Sequence, residues 1–264
     1  MRIRCVSRSR IERTPRSSHQ RHSATLARAR LCPMGRKRVA FHWSGGKGSA
    51  HAVHRLLADE RFELMCLITN VYGPNSLSTV HAVPELLLRA QADALGVPLV
   101  TVELESPELQ DYEAAMRACA TRMRAEGIDA FGFGDLDHSG TRHHRIALCD
   151  SAGLDLVTPL EDLTATECAD AYLASGIQSV VVVVNAAVLG EDALGVTIDR
   201  KFVAGLPAGC DPCGEFGEFH SFAWSSPDYR RPIDFVRHSV EHVQHAIGTE
   251  SGPSEFAYWR LNLR

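Results

Sequence analysis

Two stretches of this 264-residue sequence carry residue types that can do chemistry. The first is Ser44-Gly45-Gly46-Lys47-Gly48-Ser49. Its glycines let the backbone turn tightly and bring N–H groups close to a ligand. Lys47 adds a mobile positive charge, and Ser44 and Ser49 add hydroxyl donors. That set suits an anion; the ordinary alternative is a tight turn with a surface lysine. The second stretch runs Gly-Cys-Asp-Pro-Cys-Gly-Glu-Phe-Gly-Glu-Phe-His-Ser-Phe over residues 209–222. Three glycines and a proline exclude a regular helix there. Glu215, Glu218 and His220 fall within six residues, framed by Phe216, Phe219 and Phe222. Two carboxylates and an imidazole suit acid–base work or cation binding. In a strand beginning at Glu218, Glu218 and His220 share a face and Phe219 points the other way. Cys210 and Cys213 form a CxxC, but zinc needs a second pair and redox motifs need a helix start. They read as structural thiols.

The elements around these stretches set their positions. Arg38 to Trp43 reads as a short buried strand, and from Ala50 the pattern turns helical through Val53, Leu56 and Leu57. Strand, glycine loop and helix start in that order make an anion site, because the first helical N–H groups are unpaired and carry the positive dipole end. Further strands are expected at 63–71, 97–104, 129–134, 154–158 and 179–184, the last being Ser-Val-Val-Val-Val-Val. Helices are expected at 81–95, from Pro107 to 126, at 139–152 and from Asp162 or Thr164 to 174. Glu167 three residues after Thr164 completes a capping box. Strands alternating with helices predict an α/β fold with a parallel sheet covered on both faces. Ligands in such sheets sit at the strand carboxyl ends, where the glycine loop and Gly134-Asp135-Leu136 both fall. Beyond Trp224, His238, His242 and His245 would share a helical face. The interleaved Val236, Val240 and Val243 favour a solvated face or a strand pair over a metal site, and 256–263 alternates as a terminal strand.

Charge is unevenly spread. Residues 1–38 hold twelve Lys/Arg and one acidic residue, leaving sixteen basic against thirty-one acidic residues in the remainder, a net of −15. A body that acidic is unsuited to gripping nucleic acid over a broad surface. No apolar run reaches the roughly 20 residues of a membrane helix. Eight scattered cysteines in a chain of this size point to reduced thiols and a cytoplasmic setting. Residues 1–33, rich in Arg and Ser, are expected to be disordered. They read as a transit peptide, as a basic arm, or as sequence ahead of a true start at Met34. Residues 34–185 and 186–264 are then the expected two parts of the body.

The loop Ser44 to Ser49 fits neither GxxxxGK[ST] nor GxGxxG. It resembles SGGxDS, the pyrophosphate loop of the PP-loop ATP pyrophosphatases, with Gly48 where that family carries aspartate. Taken with Gly134-Asp135-Leu136 and Asp-Pro-Cys-Gly-Glu-Phe-Gly-Glu-Phe-His-Ser-Phe, the chain resembles the diphthine–ammonia ligase family and its bacterial relatives, a branch of the PP-loop ATPases with a Rossmann-like (HUP) fold. The late motif there is GENGEFHT or GEGGEYET. The similarity runs from about Val39 to Trp224 and includes residues 81–100 and 199–207. Phe216 replaces asparagine or glycine, and Ser221 replaces threonine.

The resemblance implies ATP and Mg²⁺ as cofactors, a carboxylate acceptor and ammonia. ATP would adenylate the carboxylate and ammonia would displace AMP, leaving an amide. Ser44, Gly45, Gly46, Lys47, Gly48 and Ser49 would then bind the phosphates. Asp135 would lie at the mouth of the site, Glu215 and Glu218 would orient the acceptor or ammonium, and His220 would assist proton transfer. Two other functions stand beside this one. Gly48 motivates a nucleotide-binding protein without catalysis, and the PP-loop class includes tRNA-modifying enzymes, which the acidic body disfavours.

Overall fold

A computed structural model describes residues 35–264 except 74–76, 79–80, 107–108, 137–140 and 250–251, and of 245–256 the backbone alone. The expected leader, Pro107 and the start of the helix expected from 139 lie outside the described residues. The first sheet is built on β1 (Lys37–His42) and β2 (Phe62–Tyr72), which pair in parallel. β4 (Leu99–Leu104) lies along the far side of β2, and a two-residue β3 (Leu77–Ser78) pairs antiparallel with its end. On the other side of β1 come β5 (Ala130–Gly132) and β6 (Asp155–Val157), again parallel. The parallel order is therefore β4-β2-β1-β5-β6. The chain leaves β1 in one direction and returns to its other side at β5. That reversal opens a crevice beyond the carboxyl ends of β1 and β5. This is the Rossmann-like α/β fold expected.

Alternation along β1 assigns the faces. Ala40 turns toward α3 (Leu109–Ala125) and α4 (Arg142–Ala152), packing with Met116, Cys119, Met123, Phe131 and Cys149. Val39 and Phe41 turn the other way, toward α1 (Lys47–Ala58) and α2 (Glu85–Leu95). Phe41 is wholly buried, a gain of about 1.5–3 kcal/mol for a side chain of that size. α5 (Ala165–Ala174) opens on the expected capping box, with Thr164 and Glu167 exchanging bonds. A short α6 (Arg200–Ala204) precedes the late motif.

The strand expected at 179–184 exists as β7 (Gln178–Asn185), but not in the parallel sheet. It is the inner strand of an antiparallel sheet ordered β8-β7-β10-β9, with β8 (Phe219–Ser225), β9 (Arg237–Thr249) and β10 (Gly252–Leu263). Six of its eight residues are buried, which is why its composition matches a parallel strand covered on both faces. Residues 238–245 belong to β9, so the helical spacing of the three histidines does not occur. Among the described residues no helix is long and apolar enough to cross a membrane. The six described cysteines are free thiols.

Candidate functional site

The glycine loop starts where β1 ends. Trp43 N–H still reaches Ile68 O at 2.7 Å, so the strand is held until the turn begins. Gly45 then adopts φ +83, a left-handed conformation natural to glycine. Gly46 precedes α1 as its cap residue, with no side-chain cap. The two serines close the loop on itself: their hydroxyls lie 2.8 Å apart, and Ser49 Oγ accepts the Ser44 N–H.

The second sheet completes this loop. Ala223 N–H donates to Gly45 O at 2.8 Å, and Lys47 N–H donates to Ser221 Oγ at 3.0 Å. Gln91, fully buried on α2, donates to both Gly45 O and Ala223 O and accepts from Trp43 Nε1. One amide thus fastens the loop, β8, α2 and the end of β1 together. Each of these buried bonds matters more through the cost of losing it than through its net gain. Lys47 is buried rather than free to swing: its ammonium donates to Cys213 O and lies 5.6 Å from the Phe219 ring centre.

The late motif is a tight loop entering β8. Gly214 (φ +68) cannot carry a side chain, because a Cβ there would meet Phe219 O at 2.7 Å. Asp211 accepts the Cys213 N–H at 2.7 Å. Glu218 is buried, and its two oxygens accept the N–H groups of Asp211 (2.9 Å) and Phe216 (3.0 Å). Its carboxylate therefore braces the loop. Phe216 is two-thirds exposed.

A cleft of about 680 Å³ opens between these parts. Ser44, Lys47, Gly48, Ser49, Asp135, Glu215 and His220 line it, whereas Gly45, Gly46, Glu218 and Phe216 do not. Gly45 and Gly46 shape the loop from behind. Asp135 accepts a 2.9 Å bond from Arg145 Nε, and Arg145 also donates to the Tyr112 hydroxyl and lies over the Phe133 ring. Burial raises the Glu215 carboxyl above its ordinary range, while Lys47 and the Leu136 N–H pull it back. Burial drives the His220 imidazole well below its ordinary value, and His81 and Lys47 add to this. At neutral pH His220 is an uncharged ring.

Several lining residues carried no motif. His81 lies 4.8 Å from His220, ring centre to ring centre. At the carboxyl ends of β1 and β2, His42 Nε2, Thr69 Oγ1 and Asn70 Oδ1 are buried with no hydrogen-bond partner in the protein. The rule that ligands gather at these strand ends flags positions 42, 69 and 70 directly. Arg145 and Tyr112 come from helices and gave no such signal.

A model of the diphthamide synthase N-terminal domain matches residues 37–156, and one of the diphthamide synthase C-terminal domain matches residues 166–249. The chain belongs to the diphthamide synthase family. No match was found among curated proteins. The family is ATP-utilising and of the PP-loop class, so a nucleotide is the ligand against which the cleft is judged. Three orphaned polar atoms and a glycine loop with a helix start line one cleft; the first suit a ligand with polar edges and the second an anion. Mg²⁺ fares differently. Among the described residues no group of three or more His, Cys, Asp or Glu could cage a metal ion.

The strained carboxyl gives a direct test. A folded-state carboxyl that holds its proton more tightly than the unfolded chain costs stability once pH rises past the ordinary carboxylate range. Glu215→Gln is therefore expected to melt at a higher temperature than the parent near about pH 7. The gap should close on acidification toward about pH 3, where both states are protonated. Equal melting temperatures at both values would show that Glu215 is not held against its charge.

Proposed function

We propose that this chain is an ATP-dependent, AMP-forming ligase that joins ammonia to a carboxylate. The observation that carries the reading is that the glycine loop and the late glutamate motif, with Lys47 and Ser221 174 positions apart, meet in one cleft. A carboxylate oxygen of the acceptor attacks the α-phosphorus, and the bond from that phosphorus to the β-bridging oxygen breaks to release pyrophosphate. Ammonia then attacks the acyl carbon, the acyl–oxygen bond to AMP breaks, and the nitrogen sheds one proton. A carboxylate is a poor electrophile, so adenylation supplies the leaving group. The protein's part is positioning and charge stabilisation.

Within that scheme Ser44, Lys47 and Ser49 receive the phosphates on a loop shaped by Gly45 and Gly46. Glu215, short of charge stabilisation in its buried position, faces ammonium or the acceptor. Asp135 fixes Arg145 at the edge of the cleft, and His220, a neutral ring once pyrophosphate has left, takes the proton that ammonia loses. Glu218 keeps the loop carrying Glu215 in shape. Residues 186–264 carry the acceptor side. Mg²⁺ would be held mainly by phosphate oxygens and water, an environment that ion tolerates, and would supply charge neutralisation on the phosphates. The setting is cytoplasmic.

The test is simultaneous measurement of AMP and pyrophosphate from ATP plus ammonium across a panel of carboxylate acceptors. Stoichiometric release of both with at least one acceptor is expected. Nucleotide binding with no AMP from any acceptor favours the non-catalytic reading that Gly48 motivates.

A further inference from the structure

His81 precedes a helix that the sequence pattern extends to include it. The helix begins only at Glu85, because Pro84 disfavours the helical conformation at Val83. The segment before it is tied to Ser78 instead. Ser78 O accepts the Ala82 N–H at 3.0 Å, its hydroxyl accepts the Val83 N–H at 3.0 Å, and its own N–H reaches Val83 O at 2.9 Å. Among the described residues Ala82 is the non-glycine residue at positive φ, 52°, a conformation that costs about 1 kcal/mol or more. That turn lays the His81 imidazole on the glycine loop. A methyl group on Gly46 would fall 2.3 Å from His81 Cε1.

The ring's orientation is fixed from behind. A carbonyl only accepts, so the 2.8 Å contact between His81 Nδ1 and Ser221 O makes Nδ1 the donor. In the neutral ring Nε2 then bears a lone pair, and His81 lines the cleft. His220 lines it beside His81. Two neutral rings next to a glycine loop and a helix start are poor partners for an anion, since lone pairs face oxygens. Protonated, the same rings become donors in the right place.

We infer that His81 and His220 are proton-linked ligands of the phosphate chain: when it enters the cleft, protons from solvent bind the free ring nitrogens, which then donate N–H bonds to phosphate oxygens. The inference rests on the ATP reading of this site and extends it to residues outside the glycine loop. The free state supplies the contrast. Burial lowers His81 to about 4 and His220 well below its ordinary value, and Lys47 of α1 pushes both the same way. The cleft's carboxylates do not relieve them: Glu215 bears on Lys47, and Asp135 is bonded to Arg145. A phosphate chain is the opposite charge brought within reach, which raises an imidazole's proton affinity.

Calorimetric titration of the full chain with inorganic pyrophosphate and with ATP tests this, in buffers of different ionisation enthalpy between about pH 6 and pH 8.5. The proton uptake of the parent is compared with that of His81→Asn and His220→Asn. Asparagine preserves a donor toward Ser221 O but cannot take a proton. The parent is expected to take up about one more proton than either variant below pH 7. Its affinity should fall by up to about tenfold more per pH unit, the slope that one linked proton gives. Equal uptake and equal slopes in parent and variants overturn the inference and leave the ATP reading intact. Binding of neither ligand at any pH overturns both. Should His81→Asn fail to fold, His220→Asn and the parent series still decide, since a parent with no uptake beyond the ligand's own excludes the linkage.

Discussion

Replacing Gly48 by aspartate is expected to raise AMP release from ATP by about tenfold to a thousandfold, the range of one well-placed electrostatic contact at a transition state. The position is occupied by aspartate in the loop that this one resembles. Gly48 is the second residue of α1 and is not among the glycines at positive φ, so an L-residue is not strained there. A Cβ at Gly48 would meet Gly134 O at 3.5 Å, an ordinary contact. The neighbouring glycines are unlike it. A Cβ at Gly134 would come within 3.0 Å of Gly48 O, and one at Gly46 would strike His81 and Ser221 O. Of these three, only Gly48 has room. Aspartate in a first helical turn also complements the dipole, and leaving glycine removes its helical penalty, so the variant should fold at least as stably. On the ATP reading its carboxylate would add an oxygen ligand beside the phosphates, where no group of three or more His, Cys, Asp or Glu among the described residues could cage a metal ion. Rates of AMP release at several Mg²⁺ concentrations are the measurement. A folded, ATP-binding variant whose rate and metal response match the parent would mean that Gly48 does not limit the chemistry.

Lys47→Ala is expected to weaken ATP by about tenfold to a hundredfold, the value of a charged hydrogen bond, while AMP affinity changes by about twofold or less. The amine is close to the loop and lines the cleft, yet it is bound to Cys213 O. An arriving phosphate must compete with that carbonyl, and a doubly charged oxygen cluster outcompetes a neutral dipole for an ammonium. AMP lacks the outer phosphates and leaves the Lys47–Cys213 contact in place. Titration of both nucleotides separates the cases. Equal loss for ATP and AMP would place Lys47 away from the outer phosphates.

Much of this site can be read from residue types, and the parts that cannot share a physical cause. The unit from Lys37 to Ala58 is local: an apolar run, a glycine loop and a helical period follow one another, and nothing distant is needed to recognise them. The Thr164–Glu167 capping box is local in the same sense. β7 is legible as a strand, because its valines are explicit, but its neighbours are not. Burial on both faces looks alike in either sheet, and the partners at β8 and β10 lie far along the chain. His81 escaped because the apolar spacing of α2 runs back through it, and Pro84 is the sole local sign that the helix starts later. Glu218 was readable as a carboxylate near the site but not as a brace. Its bonds go to backbone N–H groups of Asp211 and Phe216, which have no side-chain signature.

The tie between the glycine loop and β8 has a consequence for how the molecule comes into being. Gly45, Lys47 and Gln91 are made early, while Ser221 and Ala223 emerge more than a hundred residues later. Until then β7 lacks both antiparallel neighbours, and the amide of Gln91 has only one of its carbonyls to hold. Closing a contact across 174 residues carries an entropy cost that local pairing cannot offset in advance. A nascent chain released or stalled before residue 219 would thus expose a valine-rich edge beside an unfinished anion loop. On the ATP reading, competence to take a nucleotide is expected to be a late event in synthesis, coming only after β8 is laid down.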